Sequence, residues 1–168
     1  MGKLNSVKLK GLKKVEIKDF ANDASEWVEL GMTTPDSFVI SKGEDSVTEE
    51  FIEETDEVID EITTQKGVRE VSWSTKNVSK EVFQAIAGGK VEGNKWIENP
   101  DAEAKEVSVR AESANGIIIT IPRVKIRFNG DLKFSKNELS QLTIQGKQLA
   151  DDEKFSIQYP TTEPEAQP

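Results

Sequence analysis

The sequence has no cysteine and no histidine. Their absence excludes thiolate nucleophiles, disulfides, the common zinc sites and the usual general base near neutral pH. Aromatic residues are also scarce, with three tryptophans and one tyrosine in 168 residues. That is little material for the aromatic-lined cleft of a sugar-cleaving enzyme. No apolar run approaches the length of a membrane span. Bases are the minority charge, 22 Lys and Arg against 31 Asp and Glu, for a formal charge of −9. Such a surface repels nucleic-acid phosphates and anionic lipid. It argues against gripping DNA or a membrane, and it suits a protein that must not stick to DNA. The segment Leu4-Asn5-Ser6-Val7-Lys8-Leu9-Lys10 alternates charge and apolar character instead of forming the apolar block of a secretory leader. The expectation is a protein made and kept in a reducing cell interior, or released by lysis.

What the chain does have is a period of two. Val7 and Leu9 alternate with lysines, and Val15 and Ile17 with Glu16 and Lys18. This predicts two strands, or one strand broken at Gly11. Short strands are expected at 27–30 and 38–40. Over 68–74 the alternation returns and puts Val71 and Trp73 on one face. A helix follows, with Asn77 or Ser79 as its N-cap, Val78, Val82 and Ile86 on one stripe, Phe83 widening it, and Gly88-Gly89 as the stop. Residues 93–104 read as a polar loop pinned by Trp96 and Ile97. Val107, Val109 and Ala111 begin a second β block. Asn115-Gly116 signals a two-residue hairpin turn, and Ile117, Ile119 and Ile121 continue the alternation. The parity then slips to Val124, Ile126 and Phe128. Pro122 sits at the slip and predicts a β-bulge or a change of sheet. Asn129-Gly130-Asp131 reads as a further turn. Residues 139–149 form a late strand with Leu142 and Ile144 inward, and Phe155, Ile157 and Tyr159 a short last one.

Residues 44–61 differ in character. Acids crowd them, and no Lys or Arg interrupts until Lys66. Self-repelling composition predicts a long exposed loop over 43–65, either functional or disordered. The length suits one domain with a real core. The expected organisation is a single β domain over 1–159 and a flexible tail over 160–168. The fold class is mainly β, a two-sheet sandwich or closed barrel with one short flanking α-helix and the long acidic loop.

Chemical motifs are weak. Asp56, Glu57, Asp60 and Glu61 lack the glycine of a calcium loop, so no metal site is expected. Ala87-Gly88-Gly89-Lys90 lacks the spacing of a phosphate loop and ends a helix where such loops begin one. Asn77-Val78-Ser79 matches a glycosylation acceptor, which is idle without secretion. Paired carboxylates arise by chance in so acidic a chain. Trp27, Trp73 and Trp96 are expected as core anchors. Arg110, Arg123 and Arg127 lie opposite apolar positions, either solvated or paired with acids of a neighbouring subunit. No catalytic residue, cofactor or metal is expected.

The order of elements carries a resemblance. An early β pair precedes the acidic loop. A strand, Val68-Arg69-Glu70-Val71-Ser72-Trp73-Ser74, leads to the helix and its glycines. The closing unit is Gly116-Ile117-Ile118-Ile119-Thr120-Ile121-Pro122-Arg123-Val124-Lys125-Ile126-Arg127-Phe128, then Leu132-Lys133-Phe134-Ser135, then a strand over 139–149. This order, over residues 6–159, resembles the siphophage tail-tube proteins, relatives of the tube proteins of contractile injection systems. The resemblance implies two packed sheets with a flanking helix, a virion structural role without enzymatic activity, and assembly in the host cytoplasm. It implies self-association into stacked homo-hexameric rings that contact other tail proteins. DNA would pass through without specific binding, along a bore that negative charge keeps from adhering. It also implies that the loop after the early strands reaches the next ring, through Glu49, Glu50, Phe51, Glu53, Glu54 and Asp56. The alternative for that segment is a floppy loop. Rival readings are a terminator or baseplate subunit, a β-sandwich module for carbohydrate or protein, and a small carboxylate hydrolase.

Overall fold

The structure, a computed structural model, describes residues 6–22 and 24–161. Most of the expected tail, residues 162–168, lies outside the described residues. The elements are β1 (Lys14–Asp19), β2 (Val28–Glu29), β3 (Val39–Lys42), β4 (Ser46–Phe51), β5 (Val58–Gln65), β6 (Arg69–Thr75), α1 (Lys80–Ala87), β7 (Lys90–Glu92), β8 (Lys95–Ile97), β9 (Glu106–Glu112), β10 (Ile118–Asp131), β11 (Gln141–Gln148) and β12 (Ser156–Gln158). The fold is mainly β with one short helix, as its period-two patterning predicts.

One antiparallel sheet runs β2-β1-β9-β10-β11-β6-β3, with β12 added beside the first half of β10. Its end strands, β2 and β3, are joined by a short connector, residues 30–38. That connector touches both ends of the sheet. The Leu30 N–H donates to the Val15 carbonyl (3.1 Å), while the Thr34 N–H donates to Ser74 (2.8 Å) and Thr33 bridges Thr75. The sheet is therefore curled on itself, although it closes into no barrel.

The curl encloses one core. Val15, Ile17, Val107 and Val109 from one half join Val71, Trp73, Leu142 and Ile144 from the other, with Ile121, Val124 and Ile126 of β10 between them. Each such side chain gains about 1.5–3 kcal/mol by leaving water. The parity slip at Pro122 is a bulge, with the β9–β10 register shifting between Ile121 and Val124. Across it β10 stays paired with β9 on one edge, through Val124 and Lys125, while its other edge passes from β12 to β11, and Ile121, Val124 and Ile126 all remain buried.

The helix begins at Ser79, whose hydroxyl accepts the Val82 N–H (3.4 Å), and ends at Gly88 with φ 74°. Val82 and Ile86 join the core. Val78 precedes the cap and is exposed, so it does not belong to the apolar stripe.

Several local expectations are corrected. Residues 7–10 are not a strand; pairing to β9 starts only at Lys13, whose N–H donates to Glu112 (2.7 Å). Ser113 and Ile117 pair across three loop residues, not two. A turn from Ser113 to Gly116 is followed by Gly116 at φ 90°, a conformation glycine accepts cheaply. Asn129-Gly130-Asp131 is not a turn, because β10 continues through it paired to residues 141–143 of β11. The reversal falls at 132–140, where the Ser140 hydroxyl accepts the Lys133 N–H (2.7 Å) and no strand forms; Phe134 there is fully exposed. The 93–104 segment contributes β8, which pairs with β7. As expected it is pinned by Trp96, which stacks on Phe83 at 4.9 Å and donates to the Gly88 carbonyl (2.9 Å).

Candidate assembly surface

The acidic 43–65 segment is not an irregular loop. It is the β4–β5 ribbon, a two-stranded sheet separate from the main one. Its strand residues explain this: Val47, Thr48, Val58, Ile59, Ile62, Thr63 and Thr64 are β-branched and favour a pleated backbone. A turn closes the tip. The Ile52 N–H donates to the Glu57 carbonyl (2.9 Å), and the Asp56 N–H returns to Ile52 (2.8 Å). Asp56 adopts φ 57°, a conformation that Asp accepts more readily than most side chains.

Among the described residues, the ribbon has no substantial packing against any other element. At a rise of about 3.3 Å per residue, it reaches about 30 Å from its base. Val47, Phe51, Val58, Ile59 and Ile62 are each between 41% and 59% exposed. An isolated two-stranded ribbon is marginal in water, and five large apolar side chains on one make a surface suited to a partner.

The charge is as lopsided as the packing. Ten of the chain's 31 acids lie in residues 44–61, with no base among them, which leaves 21 acids against 22 Lys and Arg elsewhere. The acid excess is therefore a property of the ribbon, not of the body. Glu49 stands opposite Glu61 in the ladder. Among the described residues, none of these ten carboxylates, eight on the ribbon and two at its base, forms an ion pair (N···O within 4.0 Å).

The base of the ribbon is tight. The Gly43 N–H donates to Val68 (2.9 Å), and the Gly67 N–H donates to the Asp45 carboxylate (2.7 Å). A Cβ on Gly67 would lie 1.9 Å from the Gly43 carbonyl oxygen, so only glycine fits this crossing. The ribbon is thus held where it leaves the body.

The residues singled out from the sequence all fall on this feature. Glu49, Glu50 and Phe51 lie on β4, Glu53 and Glu54 in the tip turn, and Asp56 at its left-handed position. All six are exposed. Val47, Val58, Ile59 and Ile62 lie exposed on the same ribbon but are not among the six; their β-branched density was the available signal. Among the described residues, no three acids converge as metal ligands.

The other motifs serve the fold. Gly88 caps the helix, and Asn77 donates to the Leu30 carbonyl (2.6 Å) while accepting the Ser79 N–H (3.1 Å). Trp73 is a core anchor, while Trp27 is half-buried beneath Arg110, whose guanidinium lies 4.3 Å from its ring centroid. Arg110 and Arg123 find acids within the chain. Arg110 grips Glu16 through bonds of 3.0–3.3 Å, and Arg123 holds Glu106 with two bonds of 3.1 Å. Arg127 is exposed. Burial pushes the Glu16 carboxyl up, but hydrogen bonds and charge from Arg110 and Lys14 together hold it below the ordinary carboxylate value.

No protein-family model matches the chain, and no curated protein matches it in sequence. Solved structures to which the chain shows a similarity include two. A chain from the cryo-EM structure of an extracellular contractile injection system, "PVC sheath/tube terminator in extended state", is 10% identical, with 92% of this chain and 98% of that chain covered and a TM-score of 0.46. A chain from the cryo-EM structure of the anti-feeding prophage (AFP) baseplate, 6-fold symmetrised, is 8% identical, with 92% and 97% covered and a TM-score of 0.47. Both scores lie below 0.5, and neither likeness bears on function.

Proposed function

We propose that this chain is a non-enzymatic structural subunit of a phage-tail-like machine, assembling with its own copies into stacked hexameric rings that form a conduit for DNA. The observation that carries the reading is the β4–β5 ribbon. It devotes 20 residues (46–65) to a projection that, among the described residues, has no substantial packing against another element of its own subunit. Its exposed apolar side chains and unpaired acids suit a surface supplied by another subunit. The order of strands, acidic excursion, helix and closing β unit, which resembles tail-tube proteins, supports the same reading. So does the sheet itself, whose end strands β2 and β3 each pair on one side only among the described residues. Unfinished edges favour pairing between copies. DNA would pass without specific binding.

Sedimentation velocity and negative-stain microscopy of the purified protein test this. The comparison is a variant in which a short turn replaces residues 44–66. The wild type is expected to form six-fold rings or tubes, and the variant to remain a folded monomer. Tubes support a tube subunit, and single rings that never stack support a terminator or baseplate subunit. A wild type that stays monomeric at high concentration and binds a glycan would instead make it a binding module.

A further inference from the structure

The body carries a surface whose charge is the inverse of the ribbon's. On the outward face of the curled sheet, Lys125 of β10 stands opposite Lys147 of β11, with Arg127 two residues along. Like charges facing each other across a ladder are destabilising, the same feature the ribbon shows with acids. Lys147 reaches Glu70 only at 3.8 Å with both side chains largely exposed, and Glu106, the acid beside Lys125, is held by Arg123. Among the described residues, Lys125 and Arg127 form no ion pair within 4.0 Å. These bases border a groove of about 440 Å³ that is also lined by Val39, Ser72 and Leu149. Val39 is 54% exposed. The groove thus offers apolar surface beside its positive charge, as the ribbon offers apolar surface beside negative charge.

We propose that this groove receives the β4–β5 ribbon of a second copy of the chain, with ribbon acids such as Glu50 and Asp60 against Lys125, Arg127 and Lys147. This rests on the reading of the ribbon as an assembly element and names the surface it meets. The ribbon packs on no other element of its own chain among the described residues, and the opposite charges of ribbon and groove within one sequence make a second copy the fitting partner.

Two charge-reversed chains test it. One carries Lys125→Glu, Arg127→Glu and Lys147→Glu; the other carries Glu50→Lys and Asp60→Lys, which share one face of the ribbon. Near-UV circular dichroism confirms that each is folded. Each alone is expected to need a concentration about tenfold or more above wild type to assemble. An equimolar mixture should assemble near the wild-type concentration, because every mixed contact again joins opposite charges. Such rescue by mixing cannot arise from a ribbon folded onto its own groove. If the groove-reversed chain assembles like wild type while the chain lacking residues 44–66 does not, the ribbon docks elsewhere. The inference then falls and the proposed function stands. A wild type that never assembles overturns both.

Discussion

Glu50 lies directly opposite Asp60 across the β4–β5 ladder. Both are exposed, and among the described residues neither has a cation within 4.0 Å. Facing carboxylates weaken a ribbon, so this arrangement lowers the stability of the free subunit while making a uniformly negative docking element.

Glu50→Lys therefore has two opposed effects. A lysine opposite Asp60 replaces repulsion with attraction and stabilises the ribbon by about 0.2–1 kcal/mol. Amide exchange of residues 46–65 slows in the dilute subunit, while the concentration needed for assembly rises. Exchange measured by mass spectrometry, alongside sedimentation, reads both.

Gly67→Ala acts at the base of the same element. Its Cβ would sit 1.9 Å from the Gly43 oxygen, so the crossing must open and the ribbon must change direction. Neither Gly43 nor Gly67 belongs to the core. The expected outcome is lost assembly with a thermal midpoint within a few degrees of wild type. A large fall in the midpoint would show that the ribbon base supports the core.

The Glu16–Arg110 pair belongs to the fold. It lies in register between β1 and β9 and is largely shielded on the glutamate side. Arg110→Met leaves Glu16 with Lys14 alone and costs about 1–3 kcal/mol. The pH dependence has a definite sign. Because the folded Glu16 carboxyl is held low, its contribution is complete above the ordinary value of 4.5 and is lost as pH falls through the lower folded value. Glu16→Gln should flatten the acid limb of stability below about pH 4.5, measured by denaturant titration at several pH values.

Trp73 is the largest fully buried side chain, and it packs against Phe38 at a ring separation of 5.6 Å. Trp73→Ala should destabilise the body by about 3–5 kcal/mol. It should also shift the denaturation midpoint far more than any ribbon substitution. Equal effects would mean that ribbon and body unfold as one unit.

Much of the body was legible because its signals are local. Alternation placed Val71 and Trp73 inward, Ser79 and Gly88 bracketed the helix, and the parity slip at Pro122 announced the bulge. The misreadings come from competing or distant causes. Asn129-Gly130 has turn chemistry, yet ladder partners at Thr143 and Leu142 keep it extended. Ten acids over residues 44–61 predict a self-repelling loop, but the β-branched residues among them decide the backbone. The Glu16–Arg110 pair and the Lys125–Lys147 pair link positions far apart in sequence, so no spacing rule reveals them. The six residues expected at a contact fall on the ribbon, while the exposed apolar Val47, Val58, Ile59 and Ile62 beside them are not among the six.

The most direct measurement is a cryo-microscopy map of whatever the purified protein forms at high concentration. The account predicts rings in which each β4–β5 ribbon lies on a neighbouring subunit, its acids beside Lys125, Arg127 and Lys147. Particles of single-chain mass, with the ribbon free or folded back on its own sheet, would contradict it.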